Sequence, residues 1–433
     1  MLTSVVLMVL VGPVALPAAT AAGEPSLVLT APAAARIGRS IAVQATLAAG
    51  ATDTVSGVVV HLQSADGAGG WTPLSDATTD DQGVASFKVV PVAGAQQLQA
   101  TTDGDAPVTS APVTVEGVVV STTLHISGSS YVIDEHSGVL SISWAGSDGF
   151  AVRGPVAVYY HRSGQSWTKL LTTSTGWDGK VHVTVRPRWD TYYQARGTSG
   201  AGWHSATSLS WKVDNRPPMT PVTLPTGAPR PLALPAQPRG AGSGTNLAVH
   251  LIPNNVWSRM YGRSWHPGCP VGRSSLRYIT SNYWGFDGYR HRGELVVRSA
   301  AVSKFKSALM RLYAAKVPIR AMYLPDRFGK NPDGRGANDV ESMKHDNTSA
   351  FNCRGVTGNP STTSPHTYGR ALDLNTWENP YHSKVGWLPS SWWAYKQVGR
   401  YAWKSRSSTA VQALIGAGFH WTYGVQDSQH FDG

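Results

Sequence analysis

Two clusters near the end of the chain hold residue types that could do chemistry together. In Ser364-Pro365-His366-Thr367-Tyr368-Gly369-Arg370-Ala371-Leu372-Asp373-Leu374-Asn375, a histidine sits on a glycine-containing turn ahead of an aspartate. Read as a strand, Ala371 to Asn375 sends Leu372 and Leu374 to one face and Asp373 to the other, so a carboxylate is aimed out of an apolar run. Asp is disfavoured inside such a run and needs a reason: a metal, a salt bridge or a strand edge. His366 could reach the same point. The second cluster runs from Gly418 to Phe431 and holds Asp427 three residues before His430. Residues three apart face opposite sides of a regular strand, so these two share a cleft only if a turn or bulge separates them. Two imidazoles and a carboxylate would leave a fourth zinc position for water, as in catalytic rather than structural sites. A further carboxylate nearby can then act as general base.

The segments SPHTYGRALDLN and DSQHF resemble the zinc D-alanyl-D-alanine carboxypeptidase family, which also holds L-alanyl-D-glutamate endopeptidases of phage lysins. The similarity extends over most of residues 250–433, including SWHPGCPVG, WGFDGYRHRGELVV, LYAAKVPI and NTSAFNCR. It implies a Hedgehog/DD-peptidase-type fold of α+β class, one Zn2+ per chain held by His366, Asp373 and His430, and peptidoglycan stem peptides as substrate. It also implies Asp427 as the base, where many carboxypeptidase members carry Glu, a departure that leans toward the endopeptidase branch. Arg354 matches a position whose cation polarises the scissile carbonyl. A serine peptidase reading is weaker. Ser303-Lys304-Phe305-Lys306 fits S-x-x-K, but so does Ser166 to Lys169, and no Lys-Thr-Gly occurs. A lysostaphin-type metallopeptidase would need His-x3-Asp and His-x-His, which the chain lacks. A non-catalytic wall-binding protein would be expected to have lost ligands, and here all three are present. His250, His266, His291, His345, His382 and His420 have no partners at ligand spacing and read as structural or surface residues.

The elements that must position these residues fall in the last part of the chain. Val302 to Lys316 places Val302, Phe305, Leu309, Leu312 and Tyr313 at helical spacing, and Pro318 to Met322 reads as a strand. Before it, residues 26–116 alternate apolar and polar positions in short runs separated by Gly, Asp and Pro turns, as in a β-sandwich. Residues 117–214 repeat the pattern: Trp71 and Trp167, and Gly83 and Gly179, are 96 apart. Two tandem immunoglobulin-like modules are expected, with Trp71, Trp167 and Trp177 in cores or at strand edges. Residues 215–244 hold eight prolines and no periodicity, the texture of an extended, semi-rigid spacer.

The chain has 433 residues, 37 Lys+Arg against 26 Asp+Glu, and 2 Cys, which excludes a disulfide-dense scaffold. From Asn246 onward 23 basic residues face 11 acidic ones, net +12; the first 245 residues hold 14 and 15, net −1. The basic charge is dispersed, without an arm or tail, and suits an anionic cell wall and its polymers rather than nucleic acid. Residues 1–22 are almost wholly apolar, contain Pro13 and Pro17 and end in small residues. They read as a secretory signal peptide lacking its usual basic start, with an uncleaved anchor as the alternative. No other stretch is long and apolar enough to span a membrane. A secreted or wall-associated protein is expected, and export favours a Cys269–Cys353 disulfide over zinc ligation by those cysteines. Nothing in the sequence bears on oligomeric state.

Overall fold

A computed structural model describes residues 24–48 and 55–433, which divide into two compact units, the first ending at Asn215 and the second beginning at Arg216. The expected leader lies outside the described residues. Both units are rich in strands, and among the described residues the α-helices belong to the second.

In unit 1, alternation does what it predicts: within Ile41–Ala48, Val43, Ala45 and Leu47 are buried and the intervening residues face solvent. A three-stranded sheet runs in the spatial order Ser26–Thr30, Ile41–Ala48, Val84–Val89. A five-stranded sheet runs Ala34–Arg36, Val113–Val118, Gly94–Thr102, Val59–Ala65, Trp71–Thr78. Leu47 and Phe87 of the first and Leu62, Leu98 and Val115 of the second close one core. The remainder of the unit repeats this strand for strand. Its smaller sheet is Thr122–Gly128, Gly138–Gly146, Lys180–Val185; its larger one is Tyr131–Ile133, Trp211–Arg216, Thr191–Gly197, Pro155–His161, Thr168–Ser174, with Ala206–Thr207 added beside Thr191–Gly197. Leu140, Trp144, Val158 and Val213 lie in the second core.

The internal repeat has a physical basis at its glycines. Gly83 and Gly179 have φ of +77° and +71°, and a Cβ on either would lie 2.4 Å from a carbonyl oxygen, of Leu47 or Trp144. Those same two residues donate their N–H to the Gly83 and Gly179 carbonyls at 2.9 Å. Only glycine fits both the left-handed backbone and the close approach. The tryptophans divide. Trp71 opens a strand and is partly buried, and Trp167 packs on His161 at 4.3 Å. Trp177 departs from expectation: it sits at a turn, 87% exposed, because the turn closed by Gly179 offers it no core to enter.

Unit 2 is built on a sheet in which Leu276–Gly285 pairs with Ala248–His250, Arg290–Arg298 and, in parallel, Pro318–Ile319. The strand expected after the predicted helix is thus two residues long. That helix, Val302–Ala314, buries Phe305, Ala308, Leu309 and Leu312 against Ile279, Leu295 and Val297. A second helix, Thr409–Ile415, adds Val411 and Leu414 to this core, and Phe305 meets Phe419 edge-on at 5.1 Å. Cys269 and Cys353 form a disulfide across 84 residues of sequence.

The Pro-rich segment does not act as a free spacer. It is extended, but it lies along unit 2. Val222 N–H bonds Phe286 O at 2.7 Å, the Trp377 indole donates to Pro229 O at 2.9 Å, and Tyr323 Oη donates to Pro235 O at 2.8 Å. Prolines cannot donate, but an extended strand leaves its carbonyls free to accept, so donors of the folded domain capture it. Val222, Leu224 and Ala228 pack against Phe286, Trp393 and Tyr401.

Candidate metal centre

The His366 turn is a single 3₁₀ turn, Pro365–Tyr368, closed by Gly369 in the left-handed conformation at φ +64°. A Cβ at Gly369 would lie 2.8 Å from the backbone nitrogen of Arg298, so the turn is pinned against the main sheet. The chain then enters a strand shorter than expected, Leu372–Asp373, because Asn375 turns it away at φ +46°. Leu372 pairs with Phe431 and Asp373 with His430, and on the other side Asp373 exchanges both backbone hydrogen bonds with Ser349. Residues directly opposed across a ladder project to one face, which brings Asp373 and His430 together. All of Ala371 to Asn375 is buried, so Asp373 is aimed into an interior site and not toward solvent.

His366, Asp373 and His430 converge. His366 Nε2 lies 3.1 Å from His430 Nδ1 and 3.1 Å from Asp373 Oδ2, and His430 Nδ1 lies 3.0 Å from Asp373 Oδ1. The outer nitrogens settle where the protons are. His366 Nδ1 faces the Ala350 carbonyl, which can only accept, so Nδ1 carries the proton and Nε2 a lone pair. His430 Nε2 faces Asp432 Oδ1 at 3.1 Å and donates to it, leaving Nδ1 with a lone pair. Two nitrogen lone pairs and a carboxylate thus meet with no proton between them, an arrangement that demands a cation. The electrostatics point the same way: burial alone would lower the His430 pKa, but Asp373 and Asp432 outweigh it and push it up to about 10, so the site strongly favours positive charge. Burial opposes ionisation of Asp373, yet His366 and His430 hold its carboxyl well below the usual range. Backing of each ring by a carbonyl or carboxylate is the common outer shell of metal-bound histidines. The group could hold a metal ion, and an N2O donor set fits zinc with a position to spare.

Asp427 reaches the same cleft by the turn that the spacing required. Gly424–Gln426 is a 3₁₀ turn, and His430 N–H then bonds Asp427 O at 3.3 Å. Asp427 Oδ1 is buried without a hydrogen-bond partner. Desolvation, with Asp373 and Asp339 adding repulsion against the pull of His430 and Arg354, pushes its carboxyl up to about 8. Arg354 also lines this cleft, of about 280 Å³, but as half of a buried ion pair: Nη2 meets Asp339 Oδ2 at 2.7 Å and Nη1 donates to Gly355 O. Thr357 Oγ1 donates to the same Asp339 oxygen at 2.8 Å.

The structure therefore brings together all five residues singled out in the sequence and adds others. Asp432 lies two residues past His430, a same-face spacing in a strand that could have revealed it. Asp339 comes from a separate helix, Asp339–Lys344, and carries no local signal. Tyr381, Tyr423, Gln426 and Gln429 complete the walls, and His382, expected to be a structural or surface residue, lines the cleft as well. His266 stands near Cys269 and Cys353, but those sulfurs are bonded to each other, which removes them as ligands.

Residues 357–433 match the family model described as D-alanyl-D-alanine carboxypeptidase. This stretch holds His366, Asp373, Asp427 and His430, whereas Asp339 and Arg354 precede it. None of the curated proteins compared with the chain matches it.

Proposed function

We propose that residues 246–433 form an exported zinc peptidase that hydrolyses amide bonds in the stem peptides of peptidoglycan. The observation that carries the reading is the convergence of three unprotonated donors beside an unpartnered carboxylate in one cleft. His366, Asp373 and His430 would hold the ion, and zinc so bound supplies an acidified water and a Lewis-acid contact for the carbonyl. Asp427 takes the proton of the attacking water and returns it to the leaving amine. Positive charge among the donors favours its ionised form, opposing the desolvation that raises its pKa. Arg354, oriented by Asp339, stabilises the charge that develops on the carbonyl oxygen. Tyr381 and Tyr423 flank the bound peptide.

Between the two bond types, the endopeptidase reading is favoured. A carboxypeptidase must hold a free terminal carboxylate beside the scissile bond, yet the lining contains no lysine and a single guanidinium, already paired with Asp339. The two sandwiches of unit 1 are read as immunoglobulin-like modules of a wall-facing protein, and the net +12 of the last domain as attraction to anionic wall polymers.

Mass spectrometry of muropeptides after digestion tests this. Cleavage between the first two stem residues is expected; loss of a terminal alanine would establish the carboxypeptidase instead. Equal product from the wild type and His366→Ala would end the metal-peptidase reading, and protein prepared without chelator should carry close to one zinc.

A further inference from the structure

The second sandwich of unit 1 carries a groove of about 320 Å³ lined by Tyr160, Arg162, Arg186, Arg188, Trp189 and Tyr193 together with apolar residues. The first sandwich provides an internal control, since the two share a strand order and positions correspond at the repeat offset. In place of the first five it has Ser64, Asp66, Val90, Val92 and Ala93, each 96 residues earlier, around a proline common to both, Pro91 and Pro187; in place of Tyr193, the cross-strand partner of Tyr160, it has Leu98, the cross-strand partner of Ser64. The architecture thus closes without any of the basic or aromatic side chains, and their presence in one copy needs a reason other than folding.

Two observations point to a ligand. Tyr193 is 4% exposed as a residue and lines the groove, where its hydroxyl keeps access to solvent and has no hydrogen-bond partner among the described residues, so it is open to a ligand; Leu98 at the matching place has no polar atom. The guanidinium groups are unequally committed. Arg188 is tied to Asp134 and Glu135, and Arg186 lends only its Nε to the Glu135 carbonyl. Arg162 lies 4.1 Å over the ring of Trp189, itself 45% exposed, and pairs with no carboxylate among the described residues.

We propose that this groove binds an anionic glycan, with its phosphate or carboxylate on Arg162 and Arg186, a sugar ring against Trp189 and a sugar hydroxyl on Tyr193. Planar guanidinium suits such acid groups, and an amphipathic aromatic suits a ring that is apolar on its faces and polar at its edge. The residues upstream of the last domain are nearly neutral overall, so a general attraction for polyanions does not account for the cluster.

Affinity electrophoresis of the full chain in gels containing dextran phosphate, polygalacturonate, plain dextran or single-stranded DNA tests the site. Because the last domain is basic, the informative quantity is the difference between variants. Arg162→Gln is expected to weaken retardation about tenfold on one or both acidic glycans, the stronger gel identifying the acid group. Tyr193→Phe, which removes only an oxygen, is expected to weaken it several-fold, while His366→Ala and Arg153→Gln, outside the groove, bind as wild type. Unchanged affinity in Arg162→Gln and Tyr193→Phe would overturn the proposal. So would an equal loss in Arg153→Gln, which means diffuse attraction, or the same variant pattern with DNA as the tighter ligand.

Discussion

At the residue scale, the centre is defined by its outer partners as much as by its donors. Asp432 holds the proton of His430 on Nε2 and so frees Nδ1, and the Ala350 carbonyl does the same for His366. Asp432→Asn keeps the shape but can present an N–H to the ring, and the wrong tautomer then turns a proton toward the site. Zinc affinity is expected to fall about 10- to 100-fold, with the fold and thermal midpoint of the apo form little changed. Competition with a chelating indicator checks this; unaltered affinity would mean that Asp432 does not orient the ring. Arg354 shows what spacing cannot reveal. Its type was legible, but its pairing with Asp339 joins a helix to a loop fifteen positions away, and no pattern in either segment announces it.

At the element scale, very short pieces of regular structure do the positioning. The strand that carries Asp373 is two residues long, and its partner carries His430, so only four residues of ladder set the register of two donors. Their precision comes from the surroundings: Leu372, Leu374 and Phe431 are buried in the main core of unit 2. The disulfide ties the segment leading to Arg354 back to Cys269, and closing a loop of 84 residues is worth about 4–5 kcal/mol by loop entropy. Unit 1 has no cysteine. Calorimetry with and without reductant is therefore expected to show the transition of unit 2 falling by several degrees or more while that of unit 1 stays in place; a shift in both, or in neither, would contradict it.

At the scale of the whole molecule, stability of unit 2 should depend on pH through a buried lysine that does not line the cleft. Lys404 donates to the Trp403 carbonyl at 2.9 Å and to that of Glu378 at 3.4 Å, and desolvation lowers its pKa to about 7 despite an opposing pull from Glu378. Its folded pKa lies below the unfolded value, so the folded state binds fewer protons between about pH 7 and 10.5, and stability contributed by this group rises across that window. Below it, holding the ammonium buried costs up to about 5 kcal/mol. Lys404→Met should raise the melting temperature most at pH 6 and progressively less toward pH 10; a constant difference would remove Lys404 as the cause. Much of the molecule was legible beforehand. Period-two alternation marked the repeated β layers, the glycine spacing marked the repeat, helical spacing marked Val302–Ala314, and residue types marked His366, Asp373, Asp427 and His430, because each is a local regularity or a set of side chains with few other uses; Arg354 was marked only by the family resemblance. Only the tertiary structure decided that the Pro-rich segment lies on unit 2, that Asp339 and Asp432 complete the site, and that Arg162, Arg186, Trp189 and Tyr193 line one groove. Those outcomes depend on which distant atoms come within hydrogen-bonding reach, a property of the packed chain and not of any stretch of it.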